Sequence, residues 1–506
     1  MLPGYASETG RQSFVPAETA IKTPAVLDIV PVLRVLGVLI IAFAGVMLIP
    51  VVVEASPLNP PASHFILSAI ATAFAGMALV ALSPAKDGFE MTRRQGFLLT
   101  ALSWTILPAF GGLPFLGHGL NISEAYFEAV SAMTTTGSTV FTGLDLAPAS
   151  ILLWRSLMQW IGGVGIIVVG IIMMPFLRVG GMQLFHTESS DTSEKIVAKA
   201  FDLAIWIAGI YFALTMMAVA TFHVLGMGWF DAINHAMTAL STGGFSTHDA
   251  SFGYFNSEPL LWAGFVFMAA GALPFVAFIR LAQGNTKSFF SDSQLRAFLG
   301  FIVLASMLVA ATRSVRGQVP FEEALTQSAF SVMSIVTTTG FVCTDYQLWG
   351  PFAYGAFFVL TFVGGCSGST AGGIKIYRFQ IISKLAGAHL SRIISPNRIH
   401  VTLYNDRRVE DDVAFSIVAF LAVMLFSLVA STFLLAWFGV DLLTALTASA
   451  TAMANVGPGL GPIIGPAGNF DPLPDAADWV LSFMMILGRL EFFTIFVLFT
   501  PAFWRS

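Results

Sequence analysis

Long apolar runs alternate with short polar ones along almost the whole chain. Runs long enough to cross about 30 Å of hydrocarbon, which takes roughly 20 helical residues, begin near positions 31, 64, 96, 150, 197, 259, 295, 352, 412 and 476. The pattern predicts ten spans. After the third, fifth, seventh and ninth of these comes a shorter apolar segment, near 123–136, 229–242, 322–339 and 441–455. Such a segment is only about three or four helical turns long, so each must enter partway and turn back.

The four short segments end alike: Thr135-Thr136-Gly137, Ser241-Thr242-Gly243, Thr338-Thr339-Gly340 and Asn455-Val456-Gly457. A single such triplet carries no information. Four of them, at glycine spacings of 106, 97 and 117 residues and each between two long apolar runs, read as an internal repeat. Backbone that leaves the helix at membrane depth is tolerated only when buried in protein or lining a watery cavity. Four re-entrant loops around one axis would therefore present a ring of carbonyl oxygens able to replace the hydration shell of a cation. Each short helix would also point its partly negative C-terminal end at the centre.

The expected fold is an all-α polytopic membrane protein: two leading transmembrane helices, then four pseudo-repeats of helix, re-entrant pore loop and helix around one central pore. The divisions fall at 1–30 for a cytoplasmic N-terminal tail, 31–91 for the leading pair, then 92–191, 192–289, 290–407 and 408–506 for the four repeats. The tail is polar and lacks the basic, apolar and small-residue order of a cleavable signal.

Composition agrees with this reading. Hydrophobic residues make up 56% of the 506 and charged ones only 10%, which excludes an ordinary soluble globule. Placing the N-terminus in the cytoplasm puts Lys86, Arg93, Arg94, Arg178, Lys195, Lys199, Arg280, Lys287 and Arg296 on inner loops, with seven more basic residues from Lys375 to Arg408. Outer loops keep only Arg313 and Arg316, with Arg155 near an outer helix end, as the positive-inside rule requires. The outer face gathers acids instead, among them Glu124, Glu128, Asp145, Asp231, Glu322, Asp441 and Asp478. Their excess suits a cation-concentrating mouth, while Glu124, Asp231, Glu322 and Asp441 also suit helix starts. The two cysteines, Cys343 and Cys366, lie at different depths and are not expected to pair.

Two features lie below the expected filter. Gly364, Gly365, Gly368, Gly372 and Gly373 break the second helix of repeat three, at roughly 1 kcal/mol per glycine relative to alanine. An unwound segment over 364–375, ending at Lys375, would plug and release the pathway; close helix packing through small residues is the other reading. Arg489 lies deep in the last span, where an isolated arginine costs roughly 2.5–3.5 kcal/mol, so it needs carbonyl or carboxylate partners and is expected to work with the glycine loop as an electrostatic valve.

Enzymatic chemistry is not expected. Gly365-Cys366-Ser367-Gly368 matches a pattern of intramembrane serine proteases, but none of the eight histidines falls in a later span to serve as base. A proton- or sodium-coupled symporter using the same ion site is the alternative to a channel-like pore.

The four loops, the run from Gly364 to Lys375, the closing Gly488-Arg489-Leu490-Glu491 and Leu498-Phe499-Thr500-Pro501-Ala502-Phe503-Trp504 resemble the TrkH, TrkG and KtrB superfamily of potassium uptake proteins, relatives of the HKT transporters. The two leading spans resemble the Trk branch. The resemblance implies potassium as the transported ion with no organic cofactor, a homodimer in the lipid bilayer of the bacterial cytoplasmic (inner) membrane, and a cytoplasmic nucleotide-binding regulatory subunit of the TrkA type. It implies no nucleic acid partner. In HKT-like relatives a serine at the first filter glycine goes with sodium; here all four positions are glycine. Gly243-Gly244 leaves two choices for the second ligand, and Asn455-Val456-Gly457-Pro458 departs from the Thr-Gly pair. With one glycine per loop rather than the TVGYG run of tetrameric channels, about one or two well-formed ion sites and weaker selectivity are expected. The basic inner loop at 375–411, with Lys384, Arg392, Arg398, Arg407 and Arg408, is the expected dock for the regulatory subunit.

Overall fold

The computed structural model describes residues 27–54, 60–84, 91–173, 193–317, 319–395, 402–405, 407–409 and 411–505. Most of the expected N-terminal tail, together with Arg178, Arg398 and residues 85–90 with Lys86, lies outside the described residues. The chain is a nearly all-helical, multi-pass membrane protein.

The leading helices, Val30–Val46 and Pro60–Leu82, cross where Gly37 faces Gly76. A Cβ on either would meet the other's carbonyl at 2.9 or 2.8 Å, so small residues let these backbones touch, as in close membrane packing. The pair leans on the first repeat through Phe43 and Phe65, whose rings lie 5.2 and 6.0 Å from that of Trp154.

Each repeat places a short helix between two longer elements. The short ones are Ile122–Met133, Trp229–Leu240, Phe321–Val336 and Leu442–Ala454. Their starts are written in the sequence: Asn121 and Glu124 form a capping box, and Asp441 accepts from the Thr444 N–H at 3.1 Å. Repeats four and one meet through Tyr126 stacked on Trp479 at 5.1 Å and the Phe470 N–H on the Thr139 carbonyl at 2.9 Å, which closes the circle.

Ten uninterrupted spans are not what forms. Among the described residues seven helices are long and apolar enough to cross a membrane unaided. The return helices of repeats two, three and four are all broken. In repeat two, Glu258–Ala272 and Phe275–Ala282 meet at 96° across Pro274, which removes a helix N–H. In repeat three, Pro351–Leu360 is followed by non-helical backbone until Ile376–Ile394 begins after Lys375. In repeat four, Asp475–Arg489 and Phe493–Phe499 meet at 105°, with Glu491 and Phe492 at φ 57° and 41°. The glycine run announced the second of these breaks; the other two were missed.

Candidate functional site: a ring of four loops above a stitched glycine loop

The four short helices end at one place. Thr135, Thr242, Thr338 and Asn455 all sit in the left-handed region, at φ 53°, 53°, 57° and 57°. Two residues later Gly137, Gly244, Gly340 and Gly457 are left-handed as well, at φ 86°, 73°, 81° and 103°. A non-glycine residue held there costs about 1–3 kcal/mol, and the same cost recurs at the same step of every loop. Asn455 takes this place more readily than threonine, since asparagine tolerates left-handed backbone.

This register corrects the sequence alignment in repeat two. The residue equivalent to Gly137 is Gly244, and Gly243 is equivalent to Thr136. The set Ser241, Thr242, Gly243 therefore shifts by one to Thr242, Gly243, Gly244.

Contacts among the loops form a closed cycle. A Cβ added to Gly137 would strike the Gly243 carbonyl oxygen, one on Gly244 the Thr339 carbonyl, and one on Gly340 the Val456 carbonyl. On Gly457 it would meet the Thr136 carbonyl at 2.9 Å. Each loop thus abuts the next, and the cycle returns to its start. Glycine is required because there is room for backbone and nothing more. All four loops follow the C-terminal ends of helices, whose partly negative dipole ends favour cations.

Side chains fix the loops from behind. Gln159 donates from Nε2 to the Gly243 carbonyl at 2.6 Å and accepts from the Phe245 N–H at 3.1 Å. Asn455 donates from Nδ2 to Thr136 Oγ1 at 2.9 Å and to the Met485 carbonyl at 3.0 Å, tying loop four to loop one. Arg155 and Glu128 form a salt bridge of 2.7 Å at 1% and 0% exposure. Glu128 also accepts from the Val140 N–H, while Arg155 reaches the Ser246 carbonyl. Glu128 is therefore not an acid of the outer mouth, nor is Arg155 a free charge at a helix end; together they clamp the ascending limbs of loops one and two. Polar Gln159 and Arg155 inside an apolar run were the signals for both, because such groups in a span need partners.

At the rim, His248 Nδ1 lies 2.5 Å from Asp145 and stacks on Tyr254. That hydrogen bond holds the Asp145 carboxyl below its usual range. The Asp441 carboxyl is held below its usual range as well, by hydrogen bonds from Thr444. Asp231 accepts from Thr247 and Asp249 from the Leu144 N–H, so several rim acids order loops besides adding charge.

The glycine loop lies directly under the ring. Gly373 N–H donates to the Ala454 carbonyl at 2.9 Å, Gly372 N–H to Thr338 Oγ1 at 2.6 Å, and the Thr370 hydroxyl lies 3.1 Å from the Leu240 carbonyl. Three of the four short helices are therefore touched at their C-terminal ends, where orphan carbonyls need donors. The fracture in repeat two receives the same loop: Cys366 N–H donates to the Ala272 carbonyl and Phe275 N–H to the Gly368 carbonyl, both at 3.0 Å. Gly364 N–H donates to the Ile374 carbonyl at 2.9 Å, closing the loop's neck. Lys375 Nζ donates to the Ala371 carbonyl.

Arg489 is 4% exposed and donates from Nη1 to the Thr370 carbonyl at 2.7 Å, the backbone partner that its depth demanded. Glu491 turns elsewhere and pairs with Arg378 at 2.7 Å, joining the helix after the glycine loop to the fractured end of repeat four.

A family model described as TrkH, cation transport protein, matches residues 62–506. The Trk system potassium uptake protein TrkI of Halomonas elongata is 45% identical over 479 residues, covering 94% of this chain and 97% of that one. The Trk system potassium uptake protein TrkH of Escherichia coli is 34% identical, covering 94% and 99%. The crystal structure of the potassium transporter TrkH from Vibrio parahaemolyticus superposes with a TM-score of 0.86 at 32% identity, over 95% of this chain and all of that one.

Proposed function

We propose, from the premise that this chain belongs to the TrkH family of cation transport proteins, that it takes up potassium across the bacterial cytoplasmic membrane through the ring of four loops. The observation that carries this reading is the cycle of glycine-to-carbonyl contacts from Gly137 through Gly244 and Gly340 to Gly457 and back. A dehydrated alkali ion on that axis meets main-chain oxygens from all four quarters. The filter residues are Thr135, Thr136, Gly137, Thr242, Gly243, Gly244, Thr338, Thr339, Gly340, Asn455, Val456 and Gly457. The division into a leading pair and four repeats is part of the same reading, with the leading pair bracing repeat one.

The loop from Gly364 to Lys375 is the gate. Its Gly373 N–H occupies the Ala454 carbonyl, its Gly372 N–H the Thr338 hydroxyl, and the one Thr370 hydroxyl proton is shared between the Leu240 and Gly271 carbonyls. Arg489 holds the loop by Thr370 and adds a positive charge beneath the filter. For ions to pass, the loop must let go of Ala454, Thr338 and Leu240 together. Helix Ile376–Ile394 is the lever for that movement. A small hairpin, Leu403–Tyr404 against Arg407–Arg408, is fastened to it by Tyr404 Oη on Gln380 and Lys384 Nζ on the Leu403 carbonyl. Force from a cytoplasmic regulatory subunit of the TrkA type, acting on a homodimer, would reach the gate by this route.

Flux is read as channel-like, because the ring offers peptide oxygens and no carboxylate for a proton relay. The test is potassium-limited growth of a transport-deficient host, and rubidium flux in liposomes under an imposed proton gradient. Growth rescue that Gly137→Ser abolishes, with flux indifferent to the gradient, supports the proposal. Flux that reverses with the proton gradient would instead establish coupling.

A further inference from the structure

A cavity of about 610 Å³ lies beside the glycine loop and reaches Met453 and Ala454 at the end of the fourth short helix. Its walls are apolar: Ile166 and Val169 from the return helix of repeat one, Phe415 and Ala419 from Asp411–Trp437, Phe493 and Val497 beyond the last fracture. Phe415 is 76% exposed on a spanning helix, so this wall reaches the surface that faces lipid. The inner end is polar and positive, with Lys375, Arg378 and Arg489 against the single acid Glu491.

Arg489 makes this end a binding site in its own right. Nη1 is used on Thr370, but Nε and Nη2 of this buried guanidinium have no partner among the described residues. Two adjacent N–H donors in a fixed fork match the paired oxygens of a carboxylate or phosphate. A cation is repelled here, and an uncharged apolar ligand leaves the fork unsatisfied, at the usual cost of a buried unpaired donor. The volume falls within the common range for pockets that bury most of a small ligand, about 300–1,000 Å³.

We propose that this cavity binds the acyl chain of an anionic lipid, its acid group seated on the free edge of Arg489. The chemistry fits either a fatty acid or an anionic phospholipid. It concerns a site outside the ring of loops, and its test does not depend on ion flux.

The experiment uses the full-length protein in phosphatidylcholine vesicles with three photoactivatable diazirine probes: a long-chain fatty acid, a phosphatidylglycerol and a neutral fatty alcohol. Adducts are mapped by mass spectrometry. One or both anionic probes should label residues 415–424 and 492–497 about tenfold more than the alcohol, a difference of roughly 1.4 kcal/mol. Which of the two labels identifies the source. Arg489→Gln should bring the anionic probes down to the level of the alcohol. Ala419→Trp, which fills the cavity from an uncharged wall, should remove these adducts while the thermal midpoint stays at the parent value. Equal labelling by acid and alcohol would overturn the role of Arg489. Adducts spread over lipid-facing positions such as Phe426 and Phe433, and insensitive to Ala419→Trp, would overturn the cavity.

Discussion

Arg489 donates to the main-chain carbonyl of Thr370 across 2.7 Å, from the helix Asp475–Arg489 to the loop that interrupts repeat three. A hydrogen bond from a charged donor is worth about 1.5–3 kcal/mol, and this one pins a segment that also touches three helix ends. Arg489→Ala should release the loop. Rubidium flux in liposomes without any regulatory subunit should rise by about tenfold, the equivalent of roughly 1.4 kcal/mol. Unchanged open-state flux and unchanged leak would remove Arg489 from the gate.

Gly243 and Gly244 separate the two possible registers of the second loop. A Cβ on Gly244 runs into the Thr339 backbone, whereas the atoms nearest one on Gly243 are the far end of the Gln159 side chain, which could give way only by loosening its hydrogen bonds to the loop. Gly244→Ala should abolish potassium-limited growth. Gly243→Ala should retain part of it, and adding Gln159→Ala should restore more. Equal loss at both positions would show that the ring does not use this register.

The buried pair Arg155 and Glu128 should behave as a unit. Removing one member leaves an uncompensated charge, at about 3–5 kcal/mol, so Arg155→Met alone should lower the thermal midpoint sharply in detergent. The double variant Arg155→Met with Glu128→Gln should recover much of the loss. Additive losses would mean the two charges are independently solvated.

Asp441 caps the fourth short helix, and its carboxyl titrates below the ordinary value because Thr444 hydrogen-bonds the charged form. A depressed folded value means the carboxylate contributes stability above the ordinary aspartate range, near pH 4, and loses it as pH falls through the depressed value. Asp441→Asn keeps a capping side chain but should flatten the acid limb of the melting curve. Asp441→Ala should lose about 1 kcal/mol at neutral pH. An acid limb identical in all three proteins would exclude this group.

Apolar run length located the spanning helices but not Ile376–Ile394, which lies in what reads as the basic inner loop, and the repeated triplets located the four loops within a residue. The register of loop two escaped because Gly243 and Gly244 are adjacent, and only the left-handed turn at Thr242 decides between them. Capping acids at Glu124 and Asp441 were legible because cap chemistry is local. Glu128 was misplaced for the opposite reason: its partner Arg155 is 27 residues away, and nothing local shows that the two meet. Likewise the bend between Arg489 and Phe493 has no proline and follows from tertiary contacts, including the Glu491 pairing with Arg378.

The cycle of contacts belongs to a single polypeptide, so its four quadrants answer to four different codons. In a filter assembled from identical subunits any replacement strikes every side at once. Here one side can be altered while three remain as they were. Loop four, with Asn455, Val456 and Pro458 where its neighbours carry other residues, is such a case, and the asparagine amide uses the difference to brace Thr136 next door.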